Sequence, residues 1–169
     1  MQTSSVKFYS LNYWNVKTYW IASLFIIGNI ALPQLCHQLP QGGMIWLPIY
    51  FFTLVAAYKY GWKVGLLTGI LSPLINSLLF GMPLLASLPP IMTKSVLLAL
   101  AAGFAAAHYN RVSLPILLLV VLFYQIVGTL FEWLMLGNFY LAVQDFRMGI
   151  PGMLTQIVGG YAVIRLLNK

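Results

Sequence analysis

Polar side chains stand within the apolar runs of this sequence, and five of them are candidates to bind a ligand or stabilise the fold. They are Lys94, Glu132, Asn76, Gln125 and Gln156. The ammonium and carboxylate groups could neutralise each other as an ion pair or form charged hydrogen bonds to a small molecule. The three amides could bond to that molecule or hold helices together. The sequence leaves both interpretations open.

Cys36 and His37 form an adjacent pair with metal-binding chemistry, because thiolate and imidazole are ligands for soft or borderline metals. Adjacent residues seldom converge on one ion, and no second Cys or His is nearby, so we expect neither a dedicated metal site nor a resident cofactor. A metal held in a macrocycle needs only one protein ligand, which either residue could supply. More simply, His37 hydrogen-bonds within its loop and Cys36 packs as a small hydrophobe.

Aromatic and loop residues complete the candidate set. Trp46 could stack on a ligand, although such rings more often anchor a membrane interface. Asp145 and Arg147 are most simply a solvated pair, but a loop that closes over a ligand would use similar groups. The candidate binding residues are Lys94, Glu132, Asn76, Gln125, Gln156, Trp46, His37 and Arg147.

The composition excludes a soluble globule. Of 169 residues, 61% are hydrophobic and only 7% are charged, too few to cover a surface that faces water. We therefore expect an all-α integral membrane protein in the lipid bilayer, a single transmembrane domain over residues 1–169 with an interfacial segment at 1–17. The length has room for six spans of about 20 residues each. The net charge of +7 then marks one membrane side, so no nucleic-acid partner is implied.

The positive charges predict the topology. Seven of the nine Lys and Arg residues fall at every second junction between apolar runs: Lys7, Lys17, Lys59, Lys63, Arg111, Arg165 and Lys169. Cytoplasmic loops retain such residues. Both termini are therefore expected in the cytoplasm.

Six helices carry this topology. Their expected ranges are about 18–35, 46–60 and 62–80, then a helix that follows the 81–90 loop and ends near 108, then 114–136 and about 151–167. Small residues recur every four positions in the third and fourth helices, which predicts close helix packing. These are Gly61, Gly65 and Gly69, and then Ala99, Gly103 and Ala107.

Alternating helix direction places nearly all the polar side chains in the outer half of the bundle. Such groups are costly in a bilayer unless they face a cavity or each other, so this asymmetry predicts a pocket open to the outside. Gln125, Gly128, Thr129 and Glu132 share one face of the fifth helix by their spacing. We expect that face to line the pocket.

Several motifs follow one another in the first two thirds of the chain. They are Pro40-x-Gly42-Gly43-x-x-Trp46-Leu47-Pro48, then Gly61-Trp62-x-x-Gly65-Leu66-x-x-Gly69-x-x-Ser72-Pro73, then Gly81-Met82-Pro83 and Leu88-Pro89. With these motifs and the six-span layout, the region from Ala31 to about Gly103 resembles the substrate-binding S components of energy-coupling factor (ECF) vitamin transporters.

The resemblance implies high-affinity capture of a vitamin or its precursor from outside a bacterial cytoplasmic membrane. Import would be energised by separate ATPase subunits through a membrane scaffold subunit. Two features depart from the family pattern. The first helix lacks a clean pair of alanines four apart for docking on the scaffold, and Lys94 stands where many relatives are acidic. Lys94 favours an anionic ligand.

Two other classes of function are weighed against this one. A structural membrane subunit similar to the rod-shape-determining scaffold proteins is also a small multi-span bundle, but it needs no polar pocket. An intramembrane enzyme would use His37, Cys36 or Glu132, yet no nucleophile and base stand at a diagnostic spacing. We therefore do not expect an enzyme.

Overall fold

The computed structural model describes residues 8–168, and its regular secondary structure in that range is all helical, with no strand. The helices are α1 (Val16–Cys36), α2 (Gly42–Trp46), α3 (Phe51–Tyr60), α4 (Trp62–Phe80), α5 (Leu88–Tyr109), α6 (Leu114–Leu136), α7 (Phe139–Ala142), α8 (Gln144–Met148) and α9 (Ile150–Leu166). The expected all-α class is confirmed. Lys7, Lys169 and the first seven residues of the predicted interfacial segment lie outside the described residues.

Within residues 8–168, four helical stretches are long and apolar enough to cross a membrane. They are α1, α4, Leu85–Tyr109 with α5 in it, and α6. α9 is a shorter apolar helix of 17 residues, and α3 has 10. The chain therefore has the helices of a membrane protein.

The predicted helix over residues 46–60 is wrong in its first five residues, since α3 begins at Phe51. Leu47 has the left-handed conformation, with φ 45° and ψ 47°, and it separates α2 from a 3₁₀ turn at Pro48–Tyr50 that leads into α3. Pro48 explains the break, because its ring disfavours a right-handed helical conformation at the preceding residue and it has no N–H to donate.

Asn29 compensates for this break from the neighbouring helix. The first N–H groups of a helix lack acceptors within it, and the fully buried Asn29 of α1 accepts from the backbone N–H of Phe52 at 3.2 Å. Its amide nitrogen also lies 3.0 Å from the hydroxyl of Thr53 and 3.3 Å from that of Ser72. One side chain thus joins α1, α3 and α4.

The two described ends of the chain meet at the turn between α3 and α4. The backbone N–H of Tyr9 donates to the carbonyl of Lys59 at 3.0 Å, and its ring stacks on Tyr60. The ammonium of Lys59 bonds to the side chain of Asn168. The start and end of the helical bundle therefore lie at the same end, together with Lys59 and Lys63.

Small residues bring the central helices together, as their spacing predicted. A Cβ added to Gly65 would lie 2.4 Å from the Cβ of Ala57, and one added to Gly103 would lie 2.6 Å from that of Trp62. α4 consequently packs closely against α3 and α5. Ala107, the third member of the α5 series, is exposed, so the close contact ends at Gly103.

Gly103→Leu should therefore destabilise the bundle, because the larger side chain would force α5 away from the backbone of Trp62. We expect a loss of at least about 1–3 kcal/mol in the free energy of unfolding, measured as earlier thermal unfolding in detergent. Ala107→Leu, one turn further along α5 on an exposed position, is the matched control and should unfold like the parent. Equal unfolding of both variants would contradict this packing.

Candidate functional site

The buried side chain of Lys94 lies between two partly exposed carboxylates. Its Nζ lies 2.6 Å from Oε2 of Glu132 and 2.6 Å from Oδ2 of Asp145. The Lys94 side chain is 2% exposed, against 18% for Glu132 and 22% for Asp145. The sequence has only two acidic residues. Both of them bind this one ammonium, so the ion group of Lys94, Glu132 and Asp145 carries an excess of one negative charge.

Gly128 gives the Lys94 side chain its path. A Cβ at Gly128 would lie 2.4 Å from Cγ of Lys94, so the aliphatic stem crosses α6 at this glycine and the ammonium reaches Glu132 one turn further on. The polar face of α6 therefore meets α5. We expected Gln125, Gly128, Thr129 and Glu132 to line a pocket, but Lys94 packs on this face at Gly128 and Glu132, and none of the four residues lines the cavity described below.

The predicted solvated pair of Asp145 and Arg147 does not form. Asp145 turns inwards to Lys94, and Cζ of Arg147 lies 4.1 Å from the centroid of the Tyr140 ring. Asp145 pairs with Lys94 and not with Arg147 because the buried ammonium needs a counter-charge more than the exposed guanidinium does. The ion pair fixes α8 in the segment between α6 and α9.

A cavity of about 530 Å³ opens at the same end of the bundle as the ion group. It lies between the C-terminal ends of α1 and α4, the broken segment around Leu47, the loop before α5, and α8. Apolar residues form most of its wall. The residues with polar groups in the wall are His37, Gln41, Tyr50, Asn76, Ser87 and Asp145.

Two of the eight predicted binding residues, His37 and Asn76, line this cavity. The other six do not: Lys94, Glu132, Gln125, Gln156, Trp46 and Arg147. Asp145 and Tyr50 also line it, although neither is among the eight predicted binding residues. The one signal for Asp145 in the sequence was the scarcity of acidic residues, since a buried lysine would recruit any carboxylate within reach.

Asn76 is both a wall residue and a structural one. It is 1% exposed, its amide nitrogen donates to the backbone carbonyl of Asn29 at 3.0 Å, and its amide oxygen accepts from Gln34 at 3.4 Å. Two hydrogen bonds to α1 thus hold this amide in a fixed orientation at the cavity.

Gln156 hydrogen-bonds between helices. Its amide oxygen accepts from the hydroxyl of Tyr124 at 2.8 Å, and its nitrogen lies 3.5 Å from the carbonyl of Leu47, the residue at the helix break. The Tyr124 ring packs on Tyr50 with centroids 5.3 Å apart. For Gln156 the structure thus favours the interhelical alternative, in a layer that supports Tyr50.

Gln125 neither lines the cavity nor forms a hydrogen bond between the described helices. It is fully buried, and neither polar atom of its side chain has a hydrogen-bond partner among residues 8–168. The hydroxyls of Ser95 and Thr129 are likewise buried and unpaired in that part of the chain. Such groups are rare in proteins, and nothing in the fold explains these three.

Trp46 is the last residue of α2, and His37 directly follows α1. Trp46 is partly exposed, and its backbone carbonyl would lie 2.4 Å from a Cβ added to Gly152, so it fixes the start of α9. The ring of His37 lies beside Gly43. Among the described residues, no three His, Cys, Asp or Glu side chains are grouped closely enough to hold a metal.

Lys94→Met should destabilise the protein, because it leaves two neighbouring carboxylates without their counter-charge. We expect a loss of about 3–5 kcal/mol in the free energy of unfolding, followed as thermal unfolding in detergent. Adding Glu132→Gln and Asp145→Asn should recover most of the loss, since no buried charge then remains. A triple variant that unfolds as early as Lys94→Met would show that charge pairing is not the cause.

The chain was also compared with known proteins. No family model, no curated protein and no solved structure matches it. The geometry of the cavity and the ion group is therefore the basis for assigning a function.

Proposed function

We propose that this chain is a membrane-embedded binding subunit that captures a small vitamin-like micronutrient from outside the cell. Uptake is energised by separate ATPase subunits. The observation that carries the proposal is the cavity of about 530 Å³ with its fixed polar groups. Sites for small molecules have about this size, a mostly apolar wall and a few polar groups that orient the ligand.

The basic residues give the cavity its direction in the membrane. Lys59 and Lys63 lie at the turn between α3 and α4, and Arg111 follows α5, whereas the cavity is at the opposite ends of α4 and α5. Because cytoplasmic loops retain positive charge, the cavity faces outwards. The membrane in which we propose that the protein lies is the bacterial cytoplasmic membrane.

The proposed topology has six spans with both termini in the cytoplasm. The two additional spans are α9 and the broken segment of α2 and α3. The meeting of Tyr9 and Asn168 at the α3–α4 turn supports an even number of crossings. Irregular backbone within a membrane is tolerated where protein surrounds it or where it lines a cavity, and both hold at Leu47, which is buried in the cavity wall.

Other subunits must supply the energy in this proposal. The sequence has no phosphate-binding loop of the G-x-x-x-x-G-K-[ST] type. The resemblance to ECF S components supports a membrane scaffold subunit and ATPase subunits as partners.

Native mass spectrometry of the purified protein tests the binding role. We expect it to retain a small molecule that Ser87→Trp excludes, because the indole would fill the cavity wall. Ala86→Trp is the matched control, since Ala86 and Ser87 are both exposed but only Ser87 is part of the cavity wall. This variant should retain the molecule.

Absence of any cavity-dependent molecule, or equal retention by the two variants, would contradict the binding role. A structural scaffold subunit, the alternative from the sequence, gives that result. Thermal stabilisation by the released molecule, present in the parent and lost in Ser87→Trp, would be independent support.

The proposed orientation predicts which residues a membrane-impermeant maleimide reaches in intact cells. Cys36 is the only cysteine, so Cys36→Ser gives a clean background. In it, Ala86→Cys should be labelled directly, and Arg111→Cys only after the membrane is permeabilised. Both positions are exposed at opposite ends of α5. The reverse labelling pattern would place the cavity on the cytoplasmic side.

A further inference from the structure

We infer that the cavity recognises a ligand with a positively charged nitrogen, such as a protonated amine, which binds between Asp145 and Tyr50. This inference rests on the proposed binding function and names the chemical class of its ligand. It reverses the anionic ligand that the sequence favoured.

The first argument is the balance of charge. Lys94, the reason for expecting an anion, is not in the cavity wall, and two carboxylates bind its ammonium. The carboxylate in the wall is that of Asp145. With one positive and two negative groups, the site has an unbalanced negative charge, which a bound cation neutralises and an anion makes worse.

The second argument is hydrogen-bonding capacity left free at the cavity. Asp145 binds Lys94 through Oδ2, and its Oδ1 has no hydrogen bond to residues 8–168. Tyr50 lines the same cavity, and its hydroxyl also has no hydrogen bond to another residue in that range. Both oxygens can accept from an N–H of a bound molecule.

The third argument is the aromatic wall. The Tyr50 ring packs on Tyr124 and is held there, and aromatic rings attract cations through their negative faces. A carboxylate and an aromatic ring in one mostly apolar cavity suit a molecule with a cationic end and an apolar body. Asn76 is fixed by its bonds to α1 and can orient a further polar group.

Three probes of one shape and different charge test the inference: 4-phenylbutylamine, 4-phenylbutan-1-ol and 4-phenylbutyric acid. Binding to the purified protein in detergent is measured by calorimetry near neutral pH, where the amine is protonated and the acid ionised. Ser87→Trp gives the contribution of binding outside the cavity. We expect the amine to bind about ten- to a hundredfold more tightly than the acid, as for one charge-assisted hydrogen bond.

The two acidic residues separate direct contact from a general effect of charge. Asp145→Asn and Glu132→Gln each remove one negative charge from the group around Lys94, but only Asp145 lines the cavity. Asp145→Asn should reduce the preference for the amine much more than Glu132→Gln does. Equal reduction in both variants would overturn the assignment of Asp145. If Asp145→Asn fails to fold, the relative affinities of the unmodified protein for the amine, the alcohol and the acid still test whether the cavity prefers a cation.

The outcomes distinguish this inference from the binding role itself. If the three probes bind equally, or the acid binds best, and Ser87→Trp abolishes binding, the cavity is a binding site but not one for cations. If no probe depends on the cavity, the cation site is rejected. The binding role then stands or falls separately, on the molecule that native mass spectrometry finds.

Discussion

The burial of Lys94 is the constraint on which the arrangement of this bundle depends. The Lys94 side chain is 2% exposed, so its ammonium needs counter-charges. The chain has only two acidic side chains, and both form ion pairs with Lys94. Glu132 ties α5 to α6. Asp145 ties both helices to α8 and so brings the segment after α6 over the end of the bundle. The same contact that neutralises Lys94 thus places a carboxylate in the cavity wall.

A second determinant is the break at Leu47 and Pro48. In a continuous helix, the backbone N–H and C=O groups there would pair with each other, and the end of the bundle would have no irregular segment. The break instead turns Tyr50 towards the cavity, and the backbone groups it frees find partners on other helices, Phe52 with Asn29 and Leu47 with Gln156. Side chains from α1 and α9 therefore stabilise a shape that the local sequence interrupts.

Polar residues at similar depths in the apolar runs have three different roles in the structure. Gln156 and Asn29 hydrogen-bond between helices, Lys94 and Glu132 belong to the ion group, and Asn76 reaches the cavity wall. Depth in the bundle is thus a poor guide to ligand contact. The rotation of each helix and the partners within reach decide it.

The sequence by itself determined the helices and much of their packing. Long apolar runs that end at glycine set the limits of α4 and α6, where Gly81 and Gly137 take left-handed conformations, and Gly65 and Gly103 indicated close contacts. Such features depend on neighbours along the chain. Only the tertiary structure decided that Asp145 would bind Lys94 in place of pairing with Arg147, that the polar face of α6 would be covered, and that Tyr50 would line a cavity. Each of these depends on which distant groups compete for one buried charge or one space, and spacing along the chain does not contain that information.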